Sequence, residues 1–315
     1  KAGQVKFILN DPADSNTAKV TFFMGDHSAR QIDTMTLLGN NEVVLGNSFI
    51  VMSREEPRQE SFPEITRYVR LLSTKAPLFE KVSENTVLVR IPAFDHAFKK
   101  DIDAVIAKHL DTILNTENLI IDIRGNGGGS DVSYASLLPI LYTNPIRTVG
   151  MEYLSTELNN SRMLGFLQNP HFSEEEKQWA KDGYGILNQH IGSYINIDED
   201  VTVETFDKIE PLPKSIGVLV DSSNGSTAEQ FLLAAKQSKK VKLFGQTTAG
   251  VLDISNMYQT DSPSGTFTLY YSLTKSLRIP HMAIDGVGIQ PDYYIDGELP
   301  LYQWTSYTQK ILEGM

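Results

Sequence analysis

The chain alternates between two hydrophobic rhythms. Short, β-branched, mostly apolar runs read as strands: TVLVRI (86–91), LIIDI (119–123), IGVLV (216–220) and VKLFG (241–245). LIIDI has the continuous apolar character of a strand covered on both faces. Between the first two, Phe98, Ile102, Val105, Ile106, Leu110, Ile113 and Leu114 recur at helical spacing, which predicts an amphipathic helix over 97–116. Further helices are predicted over 131–142, 226–238 and 299–312, and GTFTLYYS (265–272) alternates like a half-exposed strand. Residues 150–212 are polar and helix-leaning and read as an insertion or lid. Strand–helix alternation of this kind predicts an α/β layered fold. The first 53 residues differ. VKFIL (5–9), KVTFFM (19–24), QIDTMTL (31–37) and SFIVM (48–52) predict a small β-rich module, with GDHSAR (25–30) as a hairpin tip. Residues 54–79, opening on a polar stretch with two prolines, read as a linker to a larger domain over 80–315.

Composition narrows the function classes. A chain of 315 residues holds one large domain or two modest ones, and 41% hydrophobic residues supply a core. A net charge of −11 argues against nucleic-acid binding, which needs clustered Lys and Arg, but it admits a basic peptide substrate. Without cysteine there is no disulfide, thiolate metal site or cysteine nucleophile. No run of 18 apolar residues predicts a membrane span, no His-Glu-x-x-His or similar metal spacing occurs, and no cofactor is implied. No signal peptide is evident, and the first residue is Lys1, as in a mature form or a fragment.

Two segments carry the chemistry. NLIIDIRGNGGGS (118–130) and SIGVLVDSSNGSTAEQFLLAAK (215–236) each run from an apolar strand through a small-residue turn into a helix. Acyl transfer needs a nucleophile, a base and N–H donors aimed at the developing oxyanion. The turn Gly125-Asn126-Gly127-Gly128-Gly129 can bring backbone N–H groups against a substrate, because glycine tolerates φ > 0 and has no side chain. Its bland alternatives are a plain strand-to-helix turn or a phosphate loop; the latter lacks the required Gly-Lys-Ser/Thr. Ser226 precedes the apolar-periodic Ala228, Phe231, Leu232 and Ala235, in the favourable field of a helix N-terminus. Its alternative role is a capping box, since Ser226-Thr227-Ala228-Glu229 is S-x-x-E. Each turn supplies what the other lacks, and together they read as an oxyanion hole and a serine nucleophile.

These segments resemble the tail-specific, or C-terminal-processing, serine peptidases and the related tricorn-core and interphotoreceptor retinoid-binding proteins. Asp122-Ile123-Arg124-Gly125-Asn126-Gly127-Gly128 is similar to the family's Asp-x-Arg-x-Asn-x-Gly-Gly turn, and Ser226-Thr227-Ala228-Glu229 to its Ser-x-Ala-Glu turn. FGQTTAG (244–250) is similar to its Gly-x-x-Thr-x-Gly stretch and GVGIQPD (286–292) to its Gly-x-Gly-x-x-Pro-Asp ending. The resemblance covers 86–296. It implies a ClpP/crotonase-like ββα catalytic domain over 80–315, interrupted at 150–212, and a partial PDZ-like module over 1–53. It also implies Ser226 as nucleophile and the N–H groups of Gly128 and Thr227 as oxyanion donors. Where the tail-specific branch has its lysine base, this chain has Val251, and no lysine follows until Lys275. The resemblance therefore implies a histidine base, as in the tricorn-like branch, from a segment upstream of the PDZ position, supported by Asp285 just before GVGIQPD. Within the chain, His96 and His281 are the candidates for that base. His27, His109, His171 and His190 read as turn or surface residues, and Asp253 as an orienting acid or a turn cap.

The expectation is a serine endopeptidase acting on unfolded or C-terminal peptide segments, its β-module presenting peptide by strand addition. Family resemblance implies export to the periplasm or cell envelope. One rival is a non-catalytic peptide- or lipid-binding protein on the same fold, which the missing lysine favours. Another is an acyl-CoA enzyme of the crotonase fold, for which nothing in the sequence announces an adenine or pantetheine groove. Oligomeric state and cleavage preference are not written in the sequence.

Overall fold

The computed structural model describes residues 63–170 and 172–314 and, before them, the backbone of six strands within 6–53. The chain divides into two compact units, residues 1–73 with 297–306, and residues 74–296 with 307–315. In the first unit β1 (Lys6–Pro12), β2 (Ala18–Phe23) and β3 (Ala29–Ile32) form one antiparallel sheet. A second is formed by β4 (Met35–Leu37), β5 (Glu42–Leu45) and β6 (Val51–Ser53). The predicted tip at 25–30 falls largely outside the described residues, which resume at β3. Within the span read as a linker lies α1 (Pro63–Ser73). It opens on a proline, whose fixed φ and missing N–H suit a first helical turn. Its buried stripe is only Tyr68 and Leu71, too short to announce itself beside two prolines.

The second unit carries β7 (Leu78–Lys81), β8 (Thr86–Arg90), α2 (Lys99–Ile113) and β9 (Asn118–Asp122). A 3-10 stretch, Asp131–Leu137, then runs into α3 (Leu138–Leu141). There follow β10 (Ile146–Val149), β11 (Met151–Leu154), α4 (Glu157–Leu167), α5 (Glu174–Asn188), β12 (Tyr194–Ile195) and β13 (Val201–Glu204). Next come β14 (Ser215–Val220), α6 (Thr227–Ala235), β15 (Val241–Gly245), β16 (Ile254–Asp261), β17 (Thr268–Ser276) and β18 (Tyr293–Tyr294). Helix α7 (Trp304–Gly314) closes the chain. The six-stranded sheet has the order β18-β15-β14-β9-β8-β7 and is parallel except for β7 at its edge. Val89, Ile121 and Val218 align across β8, β9 and β14 and pack with Ile106, Leu137 and Phe231 in one core. Burying each such side chain contributes about 1.5–3 kcal/mol, which fixes the sheet before any polar detail.

The expected helix over 131–142 is mostly 3-10. Pro139 has no N–H to give to the carbonyl four residues back, so the α-helix begins afresh at Leu138. Residues 150–212 hold more strand than expected. β11 and β12 join β17 and β16 in a four-stranded sheet, β10 pairs with β13, and α4 and α5 share a small core of Met163, Ala180 and Leu187. β9 and β14 are adjacent and parallel, so the glycine-rich turn and the serine turn leave the same edge of the main sheet side by side. Open α/β sheets bind ligands at that edge.

Candidate active site

Side chains from both turns clamp them together. Asp122, at the end of β9, is fully buried and accepts hydrogen bonds from Arg124 Nη2 at 2.8 Å and Nε at 3.0 Å, with Arg90 Nη1 at 3.5 Å. Burial alone would raise its pKa, but the two guanidiniums outweigh that and hold its carboxyl below the usual range. Asn126, also buried, donates to the Ile91 carbonyl at 3.2 Å and accepts the Gly128 N–H at 2.9 Å. From the serine turn, Asn224 Nδ2 donates to the carbonyls of Ile123 (2.6 Å) and Asn126 (3.0 Å), while its Oδ1 accepts from the Asp221 N–H. Asp221 in turn accepts from the N–H groups of Gly125 and Ser223. Every buried polar group named here has a partner, the condition for a rigid turn.

Ser226 breaks the local rules. Its φ is +53° and ψ −126°, a conformation side chains avoid, costing on the order of 1–3 kcal/mol. It occupies the N-cap position of α6 but makes no side-chain cap bond. The capping box read from the sequence does not form. Glu229 instead accepts from Thr248 Oγ1 (2.5 Å) and the N–H groups of Gly250 (2.7 Å) and Val251 (2.9 Å), tying α6 to the 248–251 segment. The Ser226 Oγ makes no hydrogen bond among the described residues. Gly128 is what lets the other turn approach, since a Cβ there would meet Ser226 Cβ at 2.8 Å and Thr227 N at 2.9 Å. Of the two N–H groups expected to serve an oxyanion, the Gly128 N–H is engaged by Asn126. Those of Thr227 and Gly129 make no hydrogen bond among the described residues, and both residues line the cavity with Ser226.

That cavity has a volume of about 910 Å³. Gly129–Asp131 and Ser226–Thr227 form one wall; 148–151, Val251, Leu252 and 254–257 form others; Gln230, Ser276, Arg278 and Asp285 complete it. No lysine or histidine lines it among the described residues. Val251 stands there instead, while Lys275 pairs with Glu152 at 2.9 Å and lies over the Tyr194 ring. His96 and His281 are exposed and outside the lining. His109 stacks on Phe79, where burial and Lys108 push its pKa down, and His190 is exposed. His27 and His171 lie outside the described residues.

Asp285 reaches the cavity, but its carboxylate is occupied by backbone. It accepts from the N–H groups of Leu252 (2.6 Å), Asp253 (2.6 Å) and Ile254 (3.1 Å). Asp253 answers by accepting from the Ile284 and Asp285 N–H groups and from Arg278 Nε at 2.7 Å. The two acids thus cross-latch the loop before β16 to the loop before GVGIQPD. Sequence reasoning passed over Asp131, an acid two residues after the glycine run. Protein atoms crowd its carboxyl although the residue stays open to the cavity. That desolvation raises its pKa, with the Thr227 hydroxyl and the Arg278 charge pulling the other way.

Comparison with known proteins identifies the family and the fold. The model of peptidase family S41 matches residues 85–295, about two thirds of the chain, and the chain belongs to that family. A protein of Chlamydia trachomatis serovar D is 26% identical over an alignment of 205 residues, with 56% of this chain and 34% of that protein covered. An uncharacterized protein of Chlamydia muridarum is 24% identical over an alignment of 268 residues, with 73% of this chain and 44% of its own length covered. The chain therefore spans less than half the length of these curated relatives. The crystal structure of mature CPAF shares the fold with a TM-score of 0.54 at 16% identity, over 96% of this chain and 67% of that one.

Proposed function

We propose, with membership of peptidase family S41 as the premise, that this chain is a serine endopeptidase with Ser226 as its nucleophile. The observation that carries the reading is a non-glycine residue held at φ +53°, its hydroxyl uncapped and facing a cavity. Ser226 Oγ would attack the substrate carbonyl, and the N–H groups of Thr227 and Gly129, rather than Gly128, would receive the oxyanion. Each such donor contributes about 3–4 kcal/mol to the transition state. The amine leaves, and water then releases the acyl group from Ser226. The base is a histidine supplied from outside the described residues, in keeping with Val251 where a lysine would stand. Asp285 supports the cavity wall against which that base works.

Residues 80–315 are assigned as a ClpP/crotonase-like ββα catalytic domain and residues 1–53 as a PDZ-like module that offers unfolded or C-terminal peptide segments to it. The parallel sheet ending in two clamped turns supports the first assignment, and the two small antiparallel sheets support the second. Export to the cell envelope is proposed from the family; no helix among the described residues is long and apolar enough to cross a membrane. The rival, a peptide- or lipid-binding protein on this fold, draws on the lack of lysine and histidine in the described lining. Treatment of the full-length protein with a fluorophosphonate separates the two. A single adduct on Ser226, absent from Ser226→Ala, is expected, and an unlabelled Ser226 would sink the peptidase reading.

A further inference from the structure

We propose that Asp131 is a specificity-determining residue that selects a cationic side chain, lysine or arginine, beside the scissile bond; this rests on the peptidase reading above. Asp131 follows the glycine turn by two residues and shares a cavity with Ser226 and Thr227. Its carboxylate takes a hydrogen bond from the Thr227 hydroxyl but makes no ion pair among the described residues, which leaves acceptor positions open for a cation. The other charged groups at the cavity are engaged. Arg278 is held by Asp253 at 2.7 Å and by Gln230 at 3.5 Å, and Asp285 accepts three backbone N–H groups. The cavity lining thus carries two carboxylates, Asp131 and Asp285, against one guanidinium, Arg278, whose charge is already paired with buried Asp253, and the cavity field favours a cation.

A carboxylate in a partly desolvated cleft attracts an opposite charge more strongly than one in open water. Val149, Met151, Val251 and Met257 in the same lining give the aliphatic stem of a lysine or arginine an apolar surface. The chain's net charge of −11 steers basic peptides toward it at long range. Crowding by protein raises the pKa of Asp131. The groups that bear on it are the Thr227 hydroxyl and Arg278, which oppose the rise, Tyr134 on its own turn, and Asp285 in the same cavity. The preference for a cation is therefore lost on acidification at a higher pH than an ordinary carboxylate would give.

The test is equilibrium binding to full-length protein carrying Ser226→Ala, which holds peptides without turning them over. The probes are fluorescein-labelled ten-residue Gly/Ser peptides with a central lysine, norleucine or glutamate. The lysine peptide is expected to bind ~10-fold tighter than the norleucine peptide, and the glutamate peptide weakest. Asp131→Asn and Asp131→Ser, each checked for native circular dichroism, should bind lysine and norleucine peptides alike, and Asp131→Lys should favour glutamate. Absence of a lysine preference in the parent, or its survival in Asp131→Asn and Asp131→Ser, overturns the proposal. A lysine preference in a protein that cleaves nothing upholds the role of Asp131 in selection and removes the peptidase reading instead.

Discussion

The turns after β9 and β14 leave neighbouring parallel strands at one edge of the sheet, yet they resolve opposite demands. The first is relaxed. Glycines take the positive φ values, Asp122 is neutralised by Arg124 and Arg90, and Asn126 takes up the Gly128 N–H. The second places its strain on a residue with a side chain, Ser226, and leaves that hydroxyl without a partner among the described residues while Asn224 and Asp221 satisfy the backbone around it. The difference teaches that rigidity and reactivity are divided between the turns: one is a scaffold, and the other is held in an unfavourable shape by it. Strain of this kind survives only where surrounding structure over-determines the backbone.

The division can be broken from either side. The largest effect is expected at the strained turn, where Ser226→Ala should lower kcat/KM at least ~10³-fold while leaving the melting temperature in place. On the scaffold side, Asp122→Asn leaves two buried guanidiniums without their counter-charge and should cost about 3–5 kcal/mol in urea unfolding. Asn224→Ala removes two of the bonds that join the turns and should cost about 1–3 kcal/mol, with activity falling further than stability because the clamp is weakened. Ser226→Gly sharpens the comparison by releasing the strain. It should stabilise the fold by about 1 kcal/mol while abolishing activity, an opposite movement no cap residue would show.

The smallest effect concerns Asp131, whose folded pKa lies above its unfolded value. The resulting penalty is fully present above the folded pKa and disappears below the unfolded one. Asp131→Asn should therefore melt slightly above the parent at neutral and alkaline pH, with the gap closing as pH falls through the carboxylate range. An unchanging gap in a thermal series across pH would show that the carboxyl is not desolvated.

Much of this was legible in the sequence, for reasons that also mark its limits. β8, β9, β14 and β15 are buried strands of a parallel sheet, so their own apolar runs announce them. β16 (ISNMYQTD) is half polar and mostly exposed, and exists because β17 pairs with it, a partner no local pattern reveals. Both turns were found from glycines and the S-x-x-E pattern. The sign of φ at Ser226 was not, because S-x-x-E describes a cap as well as it describes a nucleophile. That Asn126 occupies the Gly128 N–H, and that Asp131 shares a wall with Ser226, depends on through-space placement that spacing along the chain does not encode.

The role of Ser226 is tested most directly by incubating the full-length protein and its Ser226→Ala variant with a mixture of unstructured peptides and reading the products by mass spectrometry. New peptide termini from the parent and none from the variant are expected. Equal cleavage by both, or none by either, would contradict a serine peptidase centred on Ser226.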